Sequence, residues 1–316
     1  MKLIIQIPCY NESETLSIAL KELPRAMEGF DQVEWLIIDD GSTDGTVAVA
    51  KAEGVDHVVT FTKHQGLARA FLAGLDACLK LGADVIVNTD ADNQYNARDI
   101  PLLVNPILHK KGDLVVGARP ISEIEHFPFL KKQLQKLGSY VVRLASRTDI
   151  PDAPSGFRAL SREAALRLNV FNEYTYTLET IIQAGQKNMA IVSVPVRVNE
   201  DLRPSRLVKS IPIYVKNSIV TIIRIFVVYK PFRFFISLGI FSVTLGLFIG
   251  LRFLYYYVFT GESSGHIQSL ILASIFFGFG FQMAVVAFLA DLLAVNRGLL
   301  EDVQYKLRKM ESNKNA

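Results

Sequence analysis

The sequence has little cysteine, a single tryptophan and, over its first two thirds, no long apolar run. Cys9 and Cys78 are the only cysteines in 316 residues. Two thiols so placed make neither a disulfide framework nor a metal-ligand spacing, so both are expected to be reduced structural residues. No Gly-x-Gly-x-x-Gly follows the first strand-like run, and no Gly-x-x-x-x-Gly-Lys-Ser/Thr occurs anywhere. A dinucleotide dehydrogenase and a P-loop nucleotidase are therefore both disfavoured. The net charge of +3 says little by itself, and no nucleic-acid partner is expected. Met1 to Pro8 offers one basic residue and a few apolar ones before a proline, whereas a signal peptide needs an apolar stretch of roughly 7–15 residues. Leu3–Ile7 thus reads as a first strand, and the domain it opens is expected to stay in the cytoplasm.

The apolar excess, 50% hydrophobic residues, lies almost entirely after Phe232. Phe234–Phe259 holds one charge, Arg252, in 26 residues, and Ile267–Ala290 holds none in 24. A helix crossing the hydrocarbon core needs about 20 apolar residues, so both segments are expected to span. The loop between them lacks Lys and Arg, while Lys230, Arg233, Arg297, Lys306, Arg308 and Lys309 flank the pair. That asymmetry predicts a two-span protein of the cell membrane with both ends cytoplasmic. Arg252 falls near the outer end of the first span, where it can snorkel beside Tyr255, Tyr256 and Tyr257. Between Leu202 and Arg233 there are seven basic residues and no acidic one, a block suited to anionic membrane lipids. Within it, over Ile211–Tyr229, Asn217, Thr221 and Arg224 form one polar stripe on an apolar stretch, the pattern of an interfacial helix; the alternative, a further span, would put the termini on opposite faces, against the charge asymmetry. The expected organisation is a catalytic domain over 1–205, a basic juxtamembrane helix over 206–233, a transmembrane hairpin over 234–295 and a cytoplasmic tail over 296–316. The tail reads as a short polar helix followed by disorder, able to support a homo-oligomer.

Residues 1 to about 200 alternate short β-branched runs with helical patterns, the signature of a parallel sheet with crossover helices. Strands are expected at Leu3–Ile7, Glu34–Ile38, His57–Phe61, Val85–Asn88, Leu114–Val116 and Ile191–Val194. Helices are expected around Glu14–Leu23, Gly45–Glu53, Leu67–Leu81, Asp99–His109, Leu130–Ala145 and Thr175–Gln186. Ligands of such sheets bind at the carboxyl ends of strands, and three polar clusters fall there: Pro8–Glu12, Asp39–Gly45 and Thr89–Gln94. Asp90 and Asp92 can point to one side of a tight turn, where two carboxylates repel unless a cation sits between them. Mg²⁺ takes one or two protein carboxylates and completes its shell with water and substrate phosphate. Mg²⁺ or Mn²⁺ holding a diphosphate is therefore expected, with Gln94 supplying a neutral oxygen or positioning a water. Asp39-Asp40-Gly41-Ser42 suits a plain turn and equally a carboxylate that accepts from a nucleobase N–H or a ribose hydroxyl.

Five segments carry a family resemblance: Ile7-Pro8-Cys9-Tyr10-Asn11-Glu12, Asp39 to Thr46, Gly66-Leu67-Ala68-Arg69-Ala70, Asp90-Ala91-Asp92-Asn93-Gln94 and Ser155-Gly156-Phe157-Arg158-Ala159. In matching order they resemble the inverting family 2 glycosyltransferases of GT-A fold, within them the membrane-anchored polyprenyl-phosphate branch typified by dolichol-phosphate mannose synthase. The resemblance implies an α/β, Rossmann-like GT-A domain with a mostly parallel sheet. It implies transfer of a sugar from a UDP- or GDP-linked donor to undecaprenyl or dolichyl phosphate at the cytoplasmic face. Pro8, Tyr10 and Glu12 would border the nucleotide with Asp40 and Gly66, Asp39 would meet the base, and Asp90, Asp92 and Gln94 would bind metal and diphosphate. Arg119 and Arg158 would join Asp92 as catalytic residues, standing by the acceptor phosphate, with Lys132 and Arg206 as looser matches. Asp152 could orient groups near the sugar. Another lipid or a polysaccharide is the alternative acceptor; a non-catalytic scaffold is a third reading. Processive synthases of the superfamily carry Gln-x-x-Arg-Trp, whereas the one tryptophan here is Trp35 in the second strand.

Overall fold

The computed structural model describes residues 1–120, 138–140, 142–143, 146, 148–170, 176–199, 220, 223–224, 227–259 and 267–314. The expected Lys132 and Arg206, and most of the interfacial helix, lie outside these residues.

The strands β1 (Lys2–Cys9), β2 (Gln32–Asp39), β3 (His57–Thr60), β4 (Val85–Asn88), β5 (Leu114–Ala118), β6 (Arg158–Ser161) and β7 (Ile191–Pro195) form one sheet in the order β3-β2-β1-β4-β6-β5-β7. The run Leu3, Ile4, Ile5, Ile7 is fully buried because helices cover both faces, which is why these strands read as continuous apolar runs rather than alternations. One face packs Leu3, Ile5 and Ile7 with Trp35, Ile37 and Val87 against α1 (Leu16–Glu22) and α4 (Ile100–Leu108). Helix α2 spans Thr46–Ala52. Helix α3 (Leu67–Lys80) buries Ala68, Phe71, Leu75 and Cys78, one stripe of 3.6-residue period. It lies close on the sheet at Gly74, where an added Cβ would stand 2.5 Å from Gln6 Oε1 and 2.8 Å from Ile38 Cδ1.

The sheet is mixed. β1 pairs in parallel with β2 and β4, β2 with β3, and β5 with β7, but β6 runs antiparallel between β4 and β5. The sequence reading has no strand there, because Arg-Ala-Leu-Ser lacks β-branched residues and carries a charge. The pairing that makes it a strand is supplied by β4 and β5, on either side. α5 (Arg162–Arg167), capped by Ser161 Oγ accepting from the Ala164 amide, follows it and is equally unforeseen. α6 (Thr177–Gln186) matches its expectation. Of the helix expected over Leu130–Ala145, only residues at its end are described, and they are helical.

The chain divides into two compact units, residues 1–219 with 301–316, and residues 220–300. α7 (Pro231–Phe259) and α8 (Ile267–Lys314) are each long and apolar enough to cross a membrane. Within the second unit they meet at small residues: Gly239 lies against the Gly280 carbonyl, and Ser242 Oγ donates to the Phe276 carbonyl at 2.8 Å. Large side chains such as Phe241, Phe248 and Phe281 face outward.

The tail departs from its expectation. Instead of a short helix and disorder, α8 continues to Lys314. Its last turns belong to the first unit. Glu301 pairs with Lys187 at 3.0 Å, and the Tyr305 hydroxyl donates to Glu163 at 2.9 Å. Arg308 donates to the Leu168 carbonyl at 2.8 Å and Asn169 Oδ1 at 3.0 Å, and pairs with Asp76 at 3.2 Å.

Candidate active site

The carboxyl ends of β1, β2 and β4 lead into three loops whose polar side chains are laced to one another. After β1, Asn11 takes a left-handed backbone (φ 53°), tolerated by asparagine. Its amide donates to Ser42 Oγ at 2.9 Å, and its Oδ1 accepts from the Thr43 amide at 2.8 Å. The Glu12 amide donates to Thr46 Oγ1 at 2.9 Å. Burial opposes ionisation of Asp44, but hydrogen bonds from Thr46 and Ser13 prevail and hold its carboxyl at about 2. These bonds fix the β1 and β2 loops as one piece.

The two acids ending β2 have different work. Asp39 Oδ1 accepts from the Ser42 amide at 3.1 Å, and Oδ2 has no hydrogen-bond partner among the described residues. Asp40 is committed on both oxygens: Oδ1 accepts from the Gln65 amide at 2.7 Å, Oδ2 from the Gly66 amide at 2.9 Å, and His64 Nδ1 lies 2.9 Å from Oδ2. Asp40 therefore holds the turn that starts α3, and Gly66 gives its amide to that turn. Gly41 permits the close pass of the two loops, at φ 72° and with the Lys63 backbone where a Cβ would go. The rings of Tyr10 and His64 stack at 4.0 Å, both exposed, beside these carboxylates. Pro8 is buried within β1.

After β4 the chain turns at Asn93, again left-handed (φ 56°), and the Gln94 amide donates to Asp92 Oδ1 at 3.2 Å. Burial first, and then the Asp92 charge, push the Asp90 carboxyl up to about 7; Glu12 adds to the push, while Arg119 and Arg158 oppose it. The excess of negative charge is the kind that a divalent cation relieves. Among the described residues no three His, Cys, Asp or Glu side chains group closely enough to hold a metal. Two carboxylates on one short loop fit Mg²⁺ or Mn²⁺, which draw much of their shell from water and substrate.

The cations are built into the wall of the site. Arg119, just past β5, forms a two-pronged pair with Asp152: Nε to Oδ2 at 2.7 Å and an Nη to Oδ1 at 3.0 Å. Its guanidinium is nearly buried; burial pulls its pKa down, but Tyr95 and the paired Asp152 prevail and raise it. Arg158, opening β6, is fully buried. Nε donates to the Ser155 carbonyl at 2.8 Å, one Nη to the Ala153 carbonyl at 2.8 Å, and the other to Thr180 Oγ1 on α6. Burial lowers its pKa to about 10, leaving it a cation at neutral pH. Arg158, expected beside an acceptor phosphate, is wholly buried here; its hydrogen bonds hold the 153–155 loop, and its charge opposes the rise of the Asp90 pKa.

Several contributors have no signature in the sequence. Asn88, the last residue of β4, accepts from Gln6 Nε2 at 2.9 Å and donates to the Gly156 carbonyl at 2.9 Å, with the Tyr176 hydroxyl 2.8 Å away. The Gly156 amide donates to the Tyr95 hydroxyl at 3.0 Å. Phe71 and Tyr176 stack at 3.9 Å beneath. The one local hint was a polar side chain, Asn88, closing an apolar strand. The segment after β7 is fastened to the side of the Asp90–Gln94 loop, with Arg197 bonded to Asp99 and the Asn199 amide donating to the Gln94 carbonyl at 2.9 Å. Cys9 and Cys78 are buried free thiols whose pKa values burial raises, as inert structural cysteines.

Comparison with known proteins finds relatives of this chain. The undecaprenyl-phosphate mannosyltransferase of Micrococcus luteus is 29% identical over 218 residues, covering 66% of this chain and 88% of that one. The UDP-N-acetylglucosamine–dolichyl-phosphate N-acetylglucosaminyltransferase of Methanococcus voltae is 30% identical over 216 residues, covering 60% and 83%. Among solved structures, glucosyl-3-phosphoglycerate synthase from Mycobacterium tuberculosis aligns with a TM-score of 0.55 at 21% identity, covering 70% of this chain and 79% of that one, a likeness of fold. The model of the family described as glycosyl transferase family 2 matches residues 4–168, more than half of the chain. With its acidic strand ends on a mixed α/β sheet, the chain belongs to glycosyl transferase family 2.

Proposed function

We propose that this chain is a metal-dependent glycosyltransferase that moves a sugar from a nucleotide-sugar donor to a polyprenyl phosphate. The observation that carries the donor half is the meeting of Asp90, Asp92 and Glu12 with Arg119 and Arg158 in one electrostatic neighbourhood. In this reading Asp39 and the stacked Tyr10–His64 pair receive a nucleobase, and Asp90, Asp92 and Gln94 hold Mg²⁺ or Mn²⁺. The cation supplies charge neutralisation of the departing diphosphate when bound. The structurally similar synthase has been solved with Mn²⁺ and UDP-glucose, which supports that assignment.

An acceptor phosphate is ionised at neutral pH, so no general base is required. One phosphate oxygen forms the bond to the anomeric carbon while the bond from that carbon to the nucleoside diphosphate breaks, with inversion. In this reading Arg119 meets the incoming phosphate, held in a fixed orientation by Asp152. Two relatives are named for polyprenyl-phosphate acceptors, and α7 and α8 have the length and outward apolar faces of membrane spans. Both support a lipid acceptor. A second reading, a different acceptor, is favoured by the solved synthase, which is described with the soluble phosphoglyceric acid.

A donor screen decides between them. Purified full-length protein with Mn²⁺ and UDP- or GDP-sugars should release nucleoside diphosphate only when undecaprenyl or dolichyl phosphate is added. Release driven by phosphoglycerate and not by either lipid would establish the second reading. Full activity in Asp92→Ala would sink the metal assignment.

A further inference from the structure

The last turns of α8 present two faces. On one, Glu301, Tyr305 and Arg308, spaced i, i+4 and i+7, bind the catalytic domain through Lys187, Glu163, Leu168 and Asn169. At 100° per residue, Val303, Leu307 and Met310 fall on the opposite side. They are 54%, 52% and 56% exposed, and Leu300 extends their three-four spacing in the sequence. In heptad terms Leu300 and Leu307 take position a, and Val303 and Met310 take d. Glu301 and Arg308 then sit at b and Tyr305 at f, the outer positions that a coiled coil leaves free.

The flanking charges are complementary in the same register. Lys306 takes position g and Glu311 position e, five residues on, both exposed. In a parallel pair of helices the g residue of one chain meets the e residue five places further along the other, so two identical copies of this segment set Lys306 against Glu311 twice. We infer that this stripe pairs with the same stripe of a second copy of the chain, as a parallel coiled coil that leaves the docked face undisturbed. Two heptads are marginal as free peptides, because most of their energy goes into forming the helix. Here the helix is already formed and fixed to the domain, so association does not carry that cost.

Cysteine cross-linking of the detergent-solubilised full chain tests this, with a low background because Cys9 and Cys78 are buried. Val303→Cys, at a seam position, should give a disulfide-linked dimer on mild oxidation, and Asp302→Cys, at c, should not. Lys306→Glu should weaken self-association at least about tenfold, the scale of two exposed ion pairs turned repulsive, and Lys306→Glu with Glu311→Lys should restore it. Equal cross-linking at 302 and 303 would overturn the inference. So would a single-copy mass by light scattering at every concentration, the result expected if lipid or another segment of the chain covers the stripe.

Discussion

Asp90 shows what a buried carboxylate beside a second acid costs the protein that carries it. Burial and Asp92 raise its carboxyl from an ordinary 3.8 to about 7. Between those values the folded, metal-free protein holds a proton that the unfolded chain has released, so stability falls as pH rises through that window. Asp90→Asn removes the penalty. Without metal its melting temperature should exceed that of the wild type by a few degrees at pH 8, with the gap closing toward pH 4. Mn²⁺ must displace the same proton, so its affinity, read by calorimetry, should drop up to about tenfold per pH unit below about 7. Gly156 bears on the same carboxylate. A Cβ there would stand 3.1 Å from both Asp90 oxygens and from the Tyr176 hydroxyl. Gly156→Ala is expected to lower kcat/KM at least about tenfold by moving Asp90 a few tenths of an ångström. Thermal melting should change little, which separates displacement of the site from loss of the fold.

At the scale of elements, the wall of the site depends on ties between segments far apart in sequence. Asp152 joins the end of β5 to the loop before β6 by accepting from the Arg119 side chain and backbone. Asp152→Ala leaves a nearly buried guanidinium without its counter-charge, a loss on the order of 3–5 kcal/mol. Chemical denaturation should report it, and activity should fall with it because Arg119 loses its orientation. The same scale explains what the sequence could and could not announce. β1, β2 and β4 were legible because strands buried on both faces are β-branched runs, and the acidic clusters were legible because they end those runs. β6 was not, since Arg158-Ala-Leu-Ser becomes a strand only through its neighbours. The burial of Arg158 is not legible for a related reason: a charged side chain says nothing about burial until the carbonyls of Ala153 and Ser155 are seen around it. Asp40 stood beside Asp39 as an equal, and only the positions of the Gln65 and Gly66 amides separate the two.

For the whole molecule, the two apolar helices lead to a fractionation outcome. Their outward Phe and Leu side chains would be costly in water and neutral in lipid. The full chain is therefore expected to sediment with membranes and to resist extraction at alkaline pH, while detergent releases it. Recovery in the soluble fraction would remove one of the two supports for a lipid acceptor and leave the donor chemistry untouched.

The antiparallel β6 also bears on how the protein is made. The hydrogen bond from Asn88 to the Gly156 carbonyl spans 68 residues of chain, and the strand that carries Arg158 pairs on both sides with strands already synthesised. During translation the β1, β2 and β4 loops leave the ribosome first, with their acids close together and no buried arginine to balance them. Such contacts of long sequence separation form late in folding. A nascent chain thus carries its acidic loops, Arg119 and Asp152 before the buried arginine that opposes the rise of the Asp90 pKa, and a fragment ending before Arg158 should bind the donor weakly and transfer nothing.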